Sequence, residues 1–373
     1  MDIGVPKERV AREHRVALTP TGVKALVNEG HRVWVETGAG VGAGHSDADY
    51  QSAAATIAYS REEVFGRCDL VLGIHALASG EFELLRPGQT VVGFWGLPAA
   101  RPEDFRALLD CGVTAVGVEI IEDDEGRAPV VTSMSEIAGK LALTIGSGLL
   151  LNEFGGKGIL LSGAPGVPPA NLVILGAGVL GRSAAQAALG LGAQVILLDR
   201  SVDHLRYACQ HLGQAVPTML ATGPNIEKAL SFADLVLAAA AIHGERAPIL
   251  VRREMLKVMK PRSVVMDLSI DMGGCFETSR PTFFPNPTYE VDGIMHFCVP
   301  NLPSVAARSS TLAWTNTLLP FLREIAAKGS RAAVGENATL RRGTYMLDGH
   351  CCKESLARMF GVEWDPRPCG AER

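Results

Sequence analysis

Gly176, Gly178 and Gly181, with Asp199 some 18 residues beyond the last of them, have types and spacing suited to holding a dinucleotide. In a Gly-x-Gly-x-x-Gly turn the first glycine permits a tight passage from strand to helix. The second lets a pyrophosphate approach backbone N–H groups at the helix N-terminus, and the third lets the helix pack close on the strand. Val179 and Leu180 lie between the second and third glycines and belong to the same candidate cradle. An acid closing the next strand accepts hydrogen bonds from the adenosine ribose, the role assigned to Asp199. Its charge would repel a 2′-phosphate, which favours NAD over NADP. The neighbouring Arg200 acts the other way, because it could pair with that phosphate.

Glycine-rich turns are common, so the triplet gains its meaning from the elements around it. Residues 171–175 and 194–199 read as buried strands, and an Ala-rich helix lies between them. Further apolar strands are predicted at 234–240, 263–270 and 296–299, completing a doubly wound sheet whose strand ends form the cofactor crevice. The first 130 residues also alternate short strands and helices, with strands at 32–36, 69–74, 90–95 and 114–119. Thr19-Pro20 starts a helix well, through a hydroxyl N-cap and a proline at the first helical position. A long apolar helix opens near Ser133, and Gly and Pro mark the stretch from Phe154 to Pro169 as loop. A last helix is expected around 306–327, followed by a polar tail containing Pro366, Pro368 and Gly370 whose end is expected to be disordered.

Composition narrows the function classes. With 373 residues, 47% apolar and 20% charged, the chain can bury large cores and organise into two or three domains. A net charge of −5 and the absence of a basic run argue against nucleic acid as a partner. The N-terminus reads as a short strand, not a signal peptide, and no apolar run reaches the roughly 18 residues a membrane span needs. The eight cysteines show no metal-ligand spacing, and no metal site is expected. Adjacent Cys351 and Cys352 suit neither a strain-free disulfide nor zinc, so reduced thiols and a cytoplasmic location are expected.

Several segments together resemble the alanine dehydrogenase family, which is shared with the α subunit of proton-translocating transhydrogenase. They are residues 13–20 (Glu13 to Pro20), 38–42, 134–139, 166–170 and 270–282, the last holding Asp271, Gly273, Gly274, Cys275 and Phe276. The resemblance implies an α/β protein of two Rossmann-like, doubly wound parallel-sheet domains. The substrate domain would comprise 1–130 and 307–373, and the NAD-binding domain 131–306. It also implies a homo-oligomer, a hexamer or a dimer.

By the same resemblance, Arg15 holds a substrate carboxylate, for which a planar guanidinium fork is suited. A plain surface arginine is the alternative. Asp271 matches a catalytic aspartate, with a turn or N-cap role as the alternative. Ser135 lies near the cofactor phosphates. The loop after the 238–240 strand end (including Ala240), Val299, Asn301 and Leu302 line the nicotinamide pocket, Asn301 being otherwise a turn residue before Pro303. Two family residues are missing. The catalytic lysine position holds His75, in a segment beginning at Gly73, and the catalytic histidine position holds Gly96, beside Trp95.

Two readings follow. In the first, the chain is an NAD-dependent oxidoreductase acting on the C–N bond of an amino acid or imine. His75 then does acid–base work, and a carboxylate substrate larger than alanine fills the room left at Gly73 and Gly96, with Trp95 against it. In the second it is a nucleotide-binding homologue without alanine dehydrogenase activity, of transhydrogenase-like or regulatory role. A lone histidine that merely packs or is solvated would fit the second.

Overall fold

Short runs of branched apolar residues form the strands of two sheets in the computed structural model, which describes residues 1–212, 216–240 and 246–365. The chain divides into Met1–Met134 with Ser304–Arg373, and Ser135–Pro303. The first unit contains β1 (Asp2–Val5), β2 (Arg32–Glu36), β3 (Thr56–Ala58), β4 (Leu70–His75), β5 (Thr90–Phe94) and β6 (Thr114–Gly117). The second contains β7 (Asn171–Leu175), β8 (Gln194–Asp199), β9 (Thr218–Leu220), β10 (Leu235–Ala238), β11 (Val264–Asp267), β12 (Thr288–Val291) and β13 (Ile294–Phe297). Strands β14 (Thr344–Leu347) and β15 (His350–Cys351) belong again to the first unit.

The second unit orders its strands β12-β13-β11-β10-β7-β8-β9, parallel except for β12 at the edge. The order reverses between β7 and β10, the switch point at which doubly wound sheets bind ligands. Leu172, Val173, Ile174 and Leu175 are fully buried, as a strand covered on both faces must be. Ala184, Ala185 and Ala188 of helix Val179–Gly190 are equally buried, and their small side chains let the helix sit close to the sheet.

The first unit runs β15-β14-β6-β5-β4-β1-β2-β3, parallel from β3 to β6. Here the sequence expectation needs correction. The residues after helix Ala307–Lys328 are not a polar tail. They form helices Ser330–Glu336, Ala338–Arg342 and Glu354–Phe360, and β14 extends the sheet antiparallel to β6. Thr344 to Leu347 are buried, with Tyr345 and Met346 in a core around Phe105 and Phe360, so the segment's polarity belongs to its helices and turns. The tail's end, including Pro366, Pro368 and Gly370, lies outside the described residues, as do residues 241–245 of the loop after Ala240. The expectation of wholly reduced cysteines also fails, because Cys352 is disulfide-bonded. Cys351 is a free thiol, so the bond of Cys352 is not to its neighbour, with which it would be strained.

Among the described residues, no helix is long and apolar enough to cross a membrane.

Candidate active site

The segment before helix Pro20–Asn28 lies outside the sheet, so its backbone donors need other acceptors. Helix Ala307–Lys328 supplies them. Val16 N donates to Thr311 Oγ1 at 3.1 Å and Thr19 N to Thr315 Oγ1 at 3.0 Å, two buried hydroxyls one helical turn apart. Ser304 Oγ accepts from His14 N at 2.9 Å and donates to Arg12 O at 2.8 Å. Four hydrogen bonds thereby tie residues 12–19 to Ser304, Thr311 and Thr315.

Arg15 is 5% exposed, which rejects the surface alternative. Its Nε and Nη2 donate to the two carboxylate oxygens of Glu13, at 2.8 and 2.6 Å, and its backbone N also donates to Glu13 Oε1 at 2.9 Å. His75 Nε2 lies 2.9 Å from Glu13 Oε2. One fully buried carboxylate therefore joins the candidate carboxylate anchor to the candidate acid–base group.

His75 ends β4 at an irregularity. The pairing of β4 with β5 runs Leu72 with Val92, then His75 with Phe94, so β4 carries one extra residue. Such a bulge re-aims the side chain that follows it. Glu8 holds the bulge: its Oε1 accepts from Ile74 N at 2.6 Å and its Oε2 from His75 N at 3.3 Å. The Phe94 ring meets the imidazole edge-on, with centroids 6.4 Å apart.

Burial pushes the Glu8 carboxyl up to about 6, against the lowering effect of the Ile74 N–H and the nearby His75. The folded state therefore favours protonated Glu8. That stabilisation is fully present below the ordinary pKa of about 4.5 and is lost as pH rises through about 6, a change of about 2 kcal/mol. The stability of Glu8→Gln relative to wild type is accordingly expected to improve between pH 4.5 and 7.5. Urea unfolding across that range checks it, and a pH-independent difference would show that Glu8 does not titrate there.

The bulge also corrects the expectation of free room at Gly73. A Cβ at Gly73 would lie 2.3 Å from His75 O, so the backbone itself has filled that space. At Gly96, which has a left-handed φ of 59°, a Cβ would meet only Phe94 Cε1 within 4 Å, at 3.5 Å. Trp95 N and Gly96 N donate to Glu119 Oε1 at 3.1 and 2.8 Å, as does the Tyr345 hydroxyl at 3.0 Å. Burial raises the Glu119 carboxyl. The Trp95 ring packs against the cores around Phe105 and Phe65, so it is joined to Glu119 and the core, not to the Arg15–Glu13–His75 network.

In the second unit each motif glycine meets a different surrounding. A Cβ at Gly176 would lie 2.5 Å from Ala239 O, and one at Gly181 would lie 1.9 Å from Gly176 O. A Cβ at Gly178 would meet nothing within 4 Å. Gly178 is also the N-cap of helix Val179–Gly190 and offers no side-chain cap, so the first-turn N–H groups are available to a pyrophosphate. The residues fit the cofactor. Gly178→Ala is expected to change stability by no more than about 1 kcal/mol, yet to weaken NAD binding at least about tenfold. Calorimetric titration beside thermal unfolding checks this, and an unchanged NAD affinity would contradict it.

Asp199, at the end of β8, is buried; Oδ2 accepts from Ala177 N and Oδ1 from Ser201 N, both at 2.7 Å. It thus ties the glycine turn to its own strand end, and His204 Nδ1 lies 3.4 Å from Oδ1. Arg200 is exposed, Ser135 half-buried at the start of the unit, and Ala240 O accepts from Ser269 Oγ at 2.8 Å. Asp271 and Asn301 come together, Asn301 N lying 3.2 Å from each Asp271 carboxylate oxygen, with Asn301 at φ 51°. Asp271 lies within the short 3-10 helix Ile270–Met272 and Asn301 in the bend before Leu302. Val299 and Leu302 have side chains buried within the core.

Sequence reasoning missed four acids. Glu13 lies only two residues from Arg15 in sequence, but no periodic pattern there marked it as the partner. Glu8 and Glu119 depend on distant backbone and had no readable signal either. Asp267, also missed, is fully buried and accepts from Cys275 N at 2.6 Å, Phe276 N at 3.1 Å and Ser279 Oγ at 2.6 Å. It anchors the loop that follows Asp271.

These two units define a dinucleotide-binding oxidoreductase of the two-Rossmann type. Residues 4–138 match the family described as Alanine dehydrogenase/PNT, N-terminal domain, and residues 142–354 its C-terminal domain. The chain is 43% identical to alanine dehydrogenase of Bacillus subtilis over 368 residues, covering 98% of this chain and 96% of that one. With alanine dehydrogenase of Methanococcus maripaludis it is 41% identical over 367 residues, 98% of each. A solved L-alanine dehydrogenase superposes with a TM-score of 0.91 at 38% identity, covering 97% of this chain and 99% of that one. A transhydrogenase from Sinorhizobium meliloti gives 0.81 at 26% identity, covering 95% and 100%. The chain belongs to the alanine dehydrogenase/PNT family and is an NAD-dependent oxidoreductase of the alanine dehydrogenase type.

Proposed function

We propose that this chain oxidises or reduces the C–N bond of an amino acid or imine larger than alanine. His75 would be the acid–base group and Arg15 the carboxylate anchor. The observation that carries the proposal is the Arg15–Glu13–His75 network, which holds a fixed positive charge and an ionisable ring on one buried carboxylate. When bound, NAD supplies the hydride exchange. The residues of 135–303 described above would hold it, with Asp199 favouring NAD over NADP. The unit of 1–134 with 304–373 would hold the substrate. Arg15 would orient it and His75 would give or take the proton at nitrogen, and by the family resemblance Asp271 would be a further catalytic group and Asn301 would line the nicotinamide pocket. A bulkier substrate is supported by Gly96, where a Cβ would meet only Phe94 Cε1 within 4 Å. Assembly as a homo-oligomer is part of the same reading.

A screen of NADH consumption with pyruvate and larger 2-oxo acids, each with ammonia or amines, tests the proposal. Weak or absent turnover of pyruvate with ammonia is expected, and faster turnover of a larger oxo acid or a preformed imine. Efficient alanine deamination would refute the enlarged substrate. NAD binding without turnover of any member would favour the transhydrogenase-like or regulatory reading.

A further inference from the structure

We propose that Glu13 is the positioning residue of the acid–base site, fixing His75 as the Nε2–H tautomer and leaving Nδ1 to exchange the proton with substrate. The inference rests on the reading of His75 as the acid–base group.

Glu13 is held in place by Arg15 through two side-chain contacts and one backbone contact. A carboxylate paired with a guanidinium is an acceptor only. At 2.9 Å from such an oxygen, His75 Nε2 must carry a hydrogen, whether the ring is neutral or charged. The neutral ring then has its lone pair on Nδ1, and among the described residues no hydrogen bond is made by that atom. Glu13 has no side-chain exposure, Arg15 has 5% and His75 has 26%, so the imidazole is where the network meets solvent or substrate. The backbone of His75 is fixed independently by Glu8 and by the pairing with Phe94. Ring orientation is thus set from two sides, as a buried carboxylate sets a catalytic histidine elsewhere.

Proton bookkeeping follows from this tautomer. In the reducing direction, the imine carbon gains hydride and the C=N π pair moves to nitrogen. That nitrogen takes the proton from Nδ1–H of the imidazolium, leaving the neutral Nε2–H ring. Oxidation reverses each transfer. Because one carboxylate also holds Arg15, the spacing between anchor and proton donor is fixed by a single side chain.

The test uses the whole protein with ¹⁵N-labelled histidine, His75 being assigned by the signal lost in His75→Gln. In wild type without any ligand, the neutral form of the His75 ring is expected to carry its hydrogen on Nε2 and to leave Nδ1 bare. In Glu13→Gln the tautomer is expected to become mixed and kcat to fall on the order of tenfold to a hundredfold, with NAD affinity retained. Glu13→Asp, which keeps the charge, is expected to recover part of both signals. An Nδ1–H tautomer in wild type would overturn the proposal. So would a Glu13→Gln protein with an unchanged kcat, or one whose kcat falls while the tautomer stays pure. Full turnover in His75→Ala would instead defeat the acid–base reading, leaving the tautomer result to stand alone.

Discussion

Replacing His75 with alanine is expected to lower turnover about 10²-fold or more and to leave NAD affinity unchanged. Making or breaking a C–N double bond requires a proton at nitrogen, and the family's lysine and histidine positions are occupied here by His75 and Gly96. Of these only His75 can transfer a proton. Its ring is partly exposed and fixed by Glu13, whereas the dinucleotide motif lies in the other unit. Steady-state rates and NAD titration on the same preparation check both halves. An undiminished enzyme would mean that the proton comes from elsewhere, such as Asp271 or a bound water.

Arg15→Ala is expected to weaken substrate binding by about 2–5 kcal/mol, the cost of truncating one partner of a charge-assisted pair. Cofactor affinity should stay the same. The structure adds a second consequence. Glu13 is fully buried and loses its permanent counter-charge in this variant, so stability is expected to fall by about 3–5 kcal/mol. Substrate affinity must therefore be measured well below the unfolding midpoint, with Arg15→Lys as a charged companion. Unchanged substrate affinity in a folded Arg15→Ala protein would show that the substrate lacks a carboxylate or is held elsewhere.

The dinucleotide half was legible because its signals are local. Glycine spacing, a buried strand on each side and Asp199 all fall within residues 171–199. Strand β2 was read to the residue, since Arg32–Glu36 alternates between turns. Strands β3, β9 and β12 were not read, being three or four residues long and partly exposed, with no alternation to reveal them. The hairpin of β14 and β15 was missed for another reason: its apolar residues are satisfied by a core around Phe105, more than two hundred residues away in sequence.

In the candidate site, residue types were legible and their couplings were not. Arg15 and His75 could be named from the chain alone. That both share Glu13 depends on a bulge at Gly73 and on hydroxyls at Thr311 and Thr315, which hold residues 12–19 in place. The bulge also explains why a side chain missing at position 73 leaves no room, the His75 carbonyl having taken it. Counting missing side chains overstates space wherever the backbone is free to move into it.

The most direct test of C–N chemistry is transfer of deuterium from 4-deuterated NADH, with a large 2-oxo acid and ammonia as co-substrates. Mass spectrometry of the product is expected to show an amino acid carrying one deuterium on the carbon that bears nitrogen. A deuterated hydroxy acid, or no deuterated product under conditions where NADH binds, would contradict the assignment.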